Sequence, residues 1–212
     1  MSGREYGPTD ADLQWCHEAV QGVSRTFALT VDVLEEPMAS HICLGYLLCR
    51  VADTVEDAGH IPPGTQRSLL ETYRDAVDPD EQTDIAAFRS AVDEWLPAPS
   101  ERTDDWVVVA ESPTIVATFE QFAPEVRSAI VPPVVEMVDG MAMFVDRHAH
   151  CGGLRIDDRD ELEQYCYYAA GTVGTLITNL LTRGDVADER VSRLRDTAEE
   201  FGLLLQLVNV SK

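Results

Sequence analysis

Apolar side chains recur three and four positions apart through most of the chain, and Pro, Gly and Asp interrupt them at intervals. That period fits the 3.6-residue turn of an α-helix rather than the alternation of a strand, so the pattern predicts successive helices and an all-α fold. Helices are expected at about 10–23, 37–57, 64–77, 83–95, 124–148, 158–182 and from 188 to the C-terminus. Pro37 and Pro124 suit a first helical turn, and Asp158 and Asp188 suit N-caps. Residues 106–110 are rich in β-branched side chains, but no second strand signal stands by to pair with them, so a short helix is expected there too. Residues 97–105 read as a polar, Pro-containing loop and 149–157 as a Gly-containing turn. No repeat or low-complexity segment divides the chain, so a single domain is expected.

Composition narrows the class. A chain of 212 residues with 45% apolar content can build a real core. Its 38 acidic against 16 basic residues leave a formal charge of -22, which makes nucleic acid an unsuitable partner. Such acid excess suits a protein kept hydrated in concentrated salt, and an ordinary solvated acidic surface is the plainer reading; stability that rises in molar KCl would separate the two. Five cysteines, Cys16, Cys43, Cys49, Cys151 and Cys166, lack close paired spacing and mostly sit in apolar patterns, as small buried side chains do in a reducing cytoplasm. The first twelve residues are polar, so no signal peptide is expected. No run reaches the roughly 18–20 apolar residues of a membrane helix, so any membrane association is expected to be peripheral or to lie beyond Lys212.

Candidate chemistry concentrates in residues 46–57, where an apolar helix presents Asp53, Glu56 and Asp57 near its end. Asp53 and Asp57 are i,i+4 neighbours on one face, so they repel each other and oppose the helix dipole. A shared Mg²⁺ is a physical reason for that placement, and because Mg²⁺ keeps waters and bridges to phosphate oxygens, the implied ligand is a diphosphate. Arg50, three residues before Asp53, could reach the same phosphate. Upstream, Ser24, Arg25, Thr26 and Phe27 bring two hydroxyls and a guanidinium to a junction between helices, a combination suited to phosphate oxygens. A solvated helix end and a helix-capping turn are the plainer readings of these two segments. His148, His150 and Cys151 are close in sequence, but no second ligand pair for a closed zinc site is evident, and the stretch reads as a surface turn.

The run Asp53-Thr54-Val55-Glu56-Asp57 directly after Tyr46-Leu47-Leu48-Cys49-Arg50, with Ser24-Arg25-Thr26-Phe27 upstream, closely resembles the first aspartate-rich region of squalene and phytoene synthases. Residues 140–144 resemble the family's Gly-Met-Ala segment, 165–174 its Tyr-Cys-His-Tyr-Val-Ala-Gly-x-Val-Gly signature, and 202–212 the approach to its second aspartate-rich motif. The acid excess makes the resemblance strongest to a salt-adapted, haloarchaeal type of squalene synthase. The resemblance implies an all-α isoprenoid synthase fold, with residues 1–212 as the N-terminal portion of one domain that is incomplete at its C-terminal end. It implies an enzyme that condenses two farnesyl diphosphates through presqualene diphosphate to squalene with Mg²⁺ and NADPH; a cytoplasmic place, at most peripheral to the membrane, is expected, and a monomer is favoured with the oligomeric state left open. Asp53, Asp57 and Glu56 would serve the metal, and Arg50 and Tyr165 the chemistry. Ser24, Arg25, Thr26, Phe27, Tyr46, Tyr168, Gly171, Gln206 and Asn209 would bind substrate.

The aromatic residues Phe27, Tyr46, Phe144 and Tyr168 are candidates for a cavity wall that stabilises a carbocation, with plain core as the alternative. Ala169, Ala170, Gly171 and Gly174 could pass a prenyl chain near the backbone, with close helix packing as the alternative. Two departures from the family pattern matter. The chain stops at Lys212, where the second aspartate motif would begin, so low turnover or a non-catalytic prenyl-diphosphate-binding domain is one expectation. Tyr167 stands where squalene synthases commonly carry His, which leaves dehydrosqualene or phytoene formation, without NADPH, as the alternative reaction.

Overall fold

In the computed structural model of the protein, the described residues are 10–151 and 153–183 with Arg193, Leu194 and Thr197. They contain helices and connecting loops, and no strand among the described residues. The helices are α1 (Asp10–Val23), α2 (Arg25–Asp32), α3 (Met38–Glu56), α4 (Pro63–Val77), α5 (Ile85–Val92), α6 (Asp104–Ala110), α7 (Ser112–Phe119), α8 (Pro124–His148), α9 (Arg159–Cys166) and α10 (Thr172–Leu181). A 3₁₀ turn at Asp93–Trp95 extends α5 and completes the helix expected over 83–95. The expected helix from 188 onward lies almost wholly outside the described residues, as do Gln206 and Asn209.

α3 is the axis of the bundle. It packs against α1, α2, α4, α6, α7, α8 and α10, and of its residues only Met38, Tyr46, Arg50 and Asp53 are not buried. A helix enclosed on nearly every side must be apolar on nearly every side, which is how residues 38–52 read. α8 packs alongside it between α4 and α10. By mean hydropathy of 1.5 over an 18-residue window, α8 is long and apolar enough to cross a membrane, which the sequence expectation had excluded, yet 61% of that window is buried inside the bundle. Close approach is secured at two glycines. A side chain at Gly45 would meet Leu176 of α10 at 2.9 Å, and one at Gly140 of α8 would overlap the Tyr168 ring.

Four features differ from the pattern reading. Residues 25–32 are helical, because Ser24 caps them: its hydroxyl accepts from the Phe27 amide at 3.2 Å, and Ala28 and Val31 are buried beneath. Residues 112–119 form α7, with Pro113 in its first turn and Ile115, Val116 and Phe119 inward. The helix expected over 158–182 is divided by a π turn at Tyr167–Gly171, in which the Thr172 amide donates to the Tyr167 carbonyl five residues back. Finally, His148 is not on a surface turn. It is buried at the end of α8, stacked on Phe144 with ring centroids 5.9 Å apart, with Nε2 3.2 Å from Glu161 Oε1; Cys151 in the following turn is exposed. The other four cysteines are buried, and burial pushes the Cys16 and Cys49 thiols up to about 12, where they are inert at neutral pH.

Candidate active site

The unburied stripe of α3 carries the chemistry. Tyr46, Arg50, Asp53 and the capping Asp57 follow one another at intervals of three and four, so they line up along one face where the helix meets a gap between its neighbours. Phe27 of α2 stacks on Tyr46 with ring centroids 4.0 Å apart, and the Ser24 hydroxyl pairs with the Tyr46 side chain. The cap of α2 therefore reads both ways: Ser24 closes a helix and also stands beside the stripe. Arg25 and Thr26 are exposed on the next turn of α2.

At the far end of the stripe Arg50, Asp53 and Asp57 open into a polar cavity of about 210 Å³, closed by Gly59, His60, Thr103, Asp105 and Trp106. Arg50 Nη1 donates to Asp53 Oδ2 at 2.7 Å, and its Nε and Nη2 both lie 2.8 Å from Asp105 Oδ1. Burial raises the Asp53 carboxyl to about 6; Arg50 opposes the rise, while Asp57 and Asp105 add to it. The Asp57 carboxyl is also raised, chiefly by burial.

Glu56 turns the other way. It is buried, and the Tyr165 hydroxyl donates to its Oε2 at 3.4 Å. Burial, then the charges of Asp57 and Asp53, raise the Glu56 carboxyl to about 8. Burial and the same three carboxylates push the Tyr165 phenol well up, so it stays protonated. Tyr165 is thus brought to the acidic end of α3 from α9. A second cavity of about 160 Å³ lies there, lined by Glu56, Asp57, Gln66, Phe144 and His148.

Other candidate residues fall elsewhere. Phe144 is fully buried between Tyr165, Tyr168 and His148, a core position. Tyr168 packs over Gly140 and lines a groove of about 1110 Å³ on the outer side of α8, not the acidic cavities. Gly171 is buried, and a side chain there would meet the Tyr167 ring at 2.9 Å, so close packing accounts for it. Tyr167 itself donates to Glu136 of α8 at 2.9 Å.

Two residues of the site were not anticipated. Asp105 reaches Arg50 from α6. Gln66, buried on α4, donates through Nε2 to the Val55 carbonyl at 3.0 Å, which also accepts from the Ala58 amide, and to the Glu56 carbonyl at 2.7 Å, supplying a side-chain donor at the end of α3. The signal for Asp105 was faint: an acidic residue in the first turn after Thr103, one of many in so acidic a chain. Nothing local marks Gln66.

Asp53 and Asp57 suit Mg²⁺. They offer hard oxygen donors on one wall, and burial disfavours their charged forms, a cost that a bound cation would offset. Among the described residues no three His, Cys, Asp or Glu side chains converge as a closed metal site. Two carboxylates on one helix fit an ion that keeps its waters and takes further oxygens from a phosphate.

The helical bundle has the isoprenoid synthase fold. The family described as Squalene/phytoene synthase matches residues 20–212, and the chain belongs to that family. It is 27% identical over 200 residues to the squalene synthase of Homo sapiens, covering 94% of this chain and 43% of that protein. It is 26% identical over 203 residues to the presqualene diphosphate synthase of Botryococcus braunii, covering 96% of this chain and 45% of that protein. Its fold matches that of TcSQS in complex with the ligand E5700 at a TM-score of 0.75 and 24% identity, covering 95% of this chain and 53% of that one. The chain thus spans about half the length of the relatives it matches.

Proposed function

We propose that the chain is the N-terminal part of a synthase that joins two farnesyl diphosphates head to head, through presqualene diphosphate to squalene. The observation that carries this reading is the placement of Asp53, Asp57 and Arg50 around one polar cavity at the end of α3. Mg²⁺ held through Asp53 and Asp57 would supply Lewis-acid stabilisation of a departing diphosphate. Arg50 donates to diphosphate oxygens from the same wall. Phe27 and Tyr46 offer ring faces along the stripe, which would stabilise an allylic cation. Tyr165, protonated and hydrogen-bonded to Glu56, would act from behind the acidic end of α3, holding the Glu56 carboxyl rather than lining the cavity.

NADPH belongs to the squalene branch of the reaction. Dehydrosqualene formation is the second reading, favoured by Tyr167 in the place of the common His; against it, Tyr167 pairs with Glu136 on the outer side of α8, away from the acidic cavity. The test is product analysis with farnesyl diphosphate and Mg²⁺ in high salt. Squalene that appears only with NADPH upholds the proposal. Dehydrosqualene formed regardless of NADPH moves it to the second reading. Saturable binding with no product would leave a prenyl-diphosphate-binding domain.

A further inference from the structure

We propose that Asp105 is a positioning residue for the diphosphate site, an inference that rests on reading Arg50 as a diphosphate-binding residue. The Arg50 guanidinium is held on two edges by two different helices: Nη1 by Asp53 of α3, and Nε with Nη2 by Asp105 of α6. The two holds are not equivalent. Asp53 is a candidate metal ligand three residues along the same helix, and a carboxylate that turns to a cation gives up part of its hold on Arg50. Asp105 then remains as the anchor of the Nε edge, on the wall of the cavity that Arg50 also lines, and leaves Nη1 free to turn to a ligand there.

α6 is built to keep Asp105 in place. Thr103 caps it by accepting from the Trp106 amide, and Val108, Val109 and Ala110 are buried where α6 packs on α3 and α1. Trp106, next in sequence, meets His60 edge-on with ring centroids 5.4 Å apart, and both line the cavity that Asp105 completes. An acidic residue at a diphosphate site is otherwise a liability, since its charge repels the ligand. That gives the two interpretations opposite signs. If Asp105 is only one more acid of an acidic surface, removing it tightens anion binding; if it positions Arg50, removing it loosens binding.

The test is calorimetric titration of the protein with inorganic diphosphate at saturating Mg²⁺. Asp105→Ala is expected to weaken binding about tenfold, the loss that follows from releasing a charge-assisted pair on arginine. Asp105→Asn, which keeps the acceptor oxygen, is expected to fall between that variant and the wild type. Asp104→Ala removes the same charge from the same turn of α6 and leaves the Arg50 pair intact, so it should bind as the wild type or slightly tighter. Binding by Asp105→Ala that equals or exceeds the wild type overturns the proposal, and so does an equal loss in Asp104→Ala, which would mean fraying of α6. A wild type that binds no diphosphate removes the reading of Arg50 itself, and this inference goes with it. Those failures are distinguishable, because the first two leave wild-type binding intact.

Discussion

Carboxylates occupy two contrasting settings in this molecule. On the α4–α8 surface, Arg67 lies 2.8 Å from Glu71 and 2.9 Å from Asp146, an exposed ladder in which each charge is hydrated and paired. At the end of α3, Glu56 is buried and Asp53 is largely shielded from water, and one arginine serves Asp53 and Asp105 together. The residue type is the same, but burial sets the site acids apart by disfavouring their charged forms. A protein keeps such a cluster when something else neutralises it, and a divalent cation with a diphosphate does so.

The contrast can be broken most severely at Asp53. Asp53→Asn is expected to lower turnover of farnesyl diphosphate by about 10²–10³-fold, the scale seen when one electrostatic partner of a transition state is removed. The same variant should unfold at a higher temperature than the wild type without Mg²⁺, and should lose the rise that Mg²⁺ with diphosphate produces. Wild-type turnover in that variant would end the metal-ligand assignment.

Next in size is Gln66→Leu, which takes the side-chain donor from the Glu56 carbonyl and leaves the Val55 carbonyl with only its backbone amide partner beneath the site. Denaturant unfolding should show a loss of about 1–3 kcal/mol. Gln66→Lys, whose ammonium can donate to the same carbonyls, should recover part of it. Equal stability of Gln66→Leu and wild type would show that the bonds are dispensable.

A smaller effect is expected from pH. Asp53 near 6 and Glu56 near 8 both lie above the ordinary carboxylate value of about 4 for an unfolded chain. A folded-state value raised in this way contributes stability that is complete below about pH 4 and is lost as pH climbs through the folded values. The metal-free protein should therefore lose stability between about pH 5 and pH 8, and Mg²⁺ with diphosphate should flatten the slope. Thermal midpoints across that range decide the matter; a metal-free slope of the opposite sign would contradict the burial of these groups. The smallest effect belongs to the surface ladder, where Arg67→Ala should move the thermal midpoint by less than about 2 °C.

The stripe Tyr46–Arg50–Asp53–Asp57 was legible in the sequence because it lies on one helix, where period alone fixes which residues share a face. Its neighbour Ser24 was legible for a related reason: capping and ligand binding ask for the same hydroxyl. What escaped came from other helices. Asp105 and Gln66 reach the end of α3 across 55 and 11 residues of chain, and no local pattern encodes such a meeting. His148 was misplaced because a histidine beside a glycine-bearing turn looks exposed, and only the packing of α9 against the end of α8 buries it. α2 and α7, of eight residues each, were too short for periodicity to separate them from their surroundings.

By itself the sequence determined the helical class, the central apolar helix and the acidic end that gives it a chemical purpose, since each follows from spacing along a continuous segment. Tertiary structure decided which way the acids point. Asp53 and Asp57 open into a polar cavity while Glu56, one residue from Asp57, turns inward to Tyr165, because the successive residues of a helix diverge by about 100° and meet whatever the fold has packed on that side.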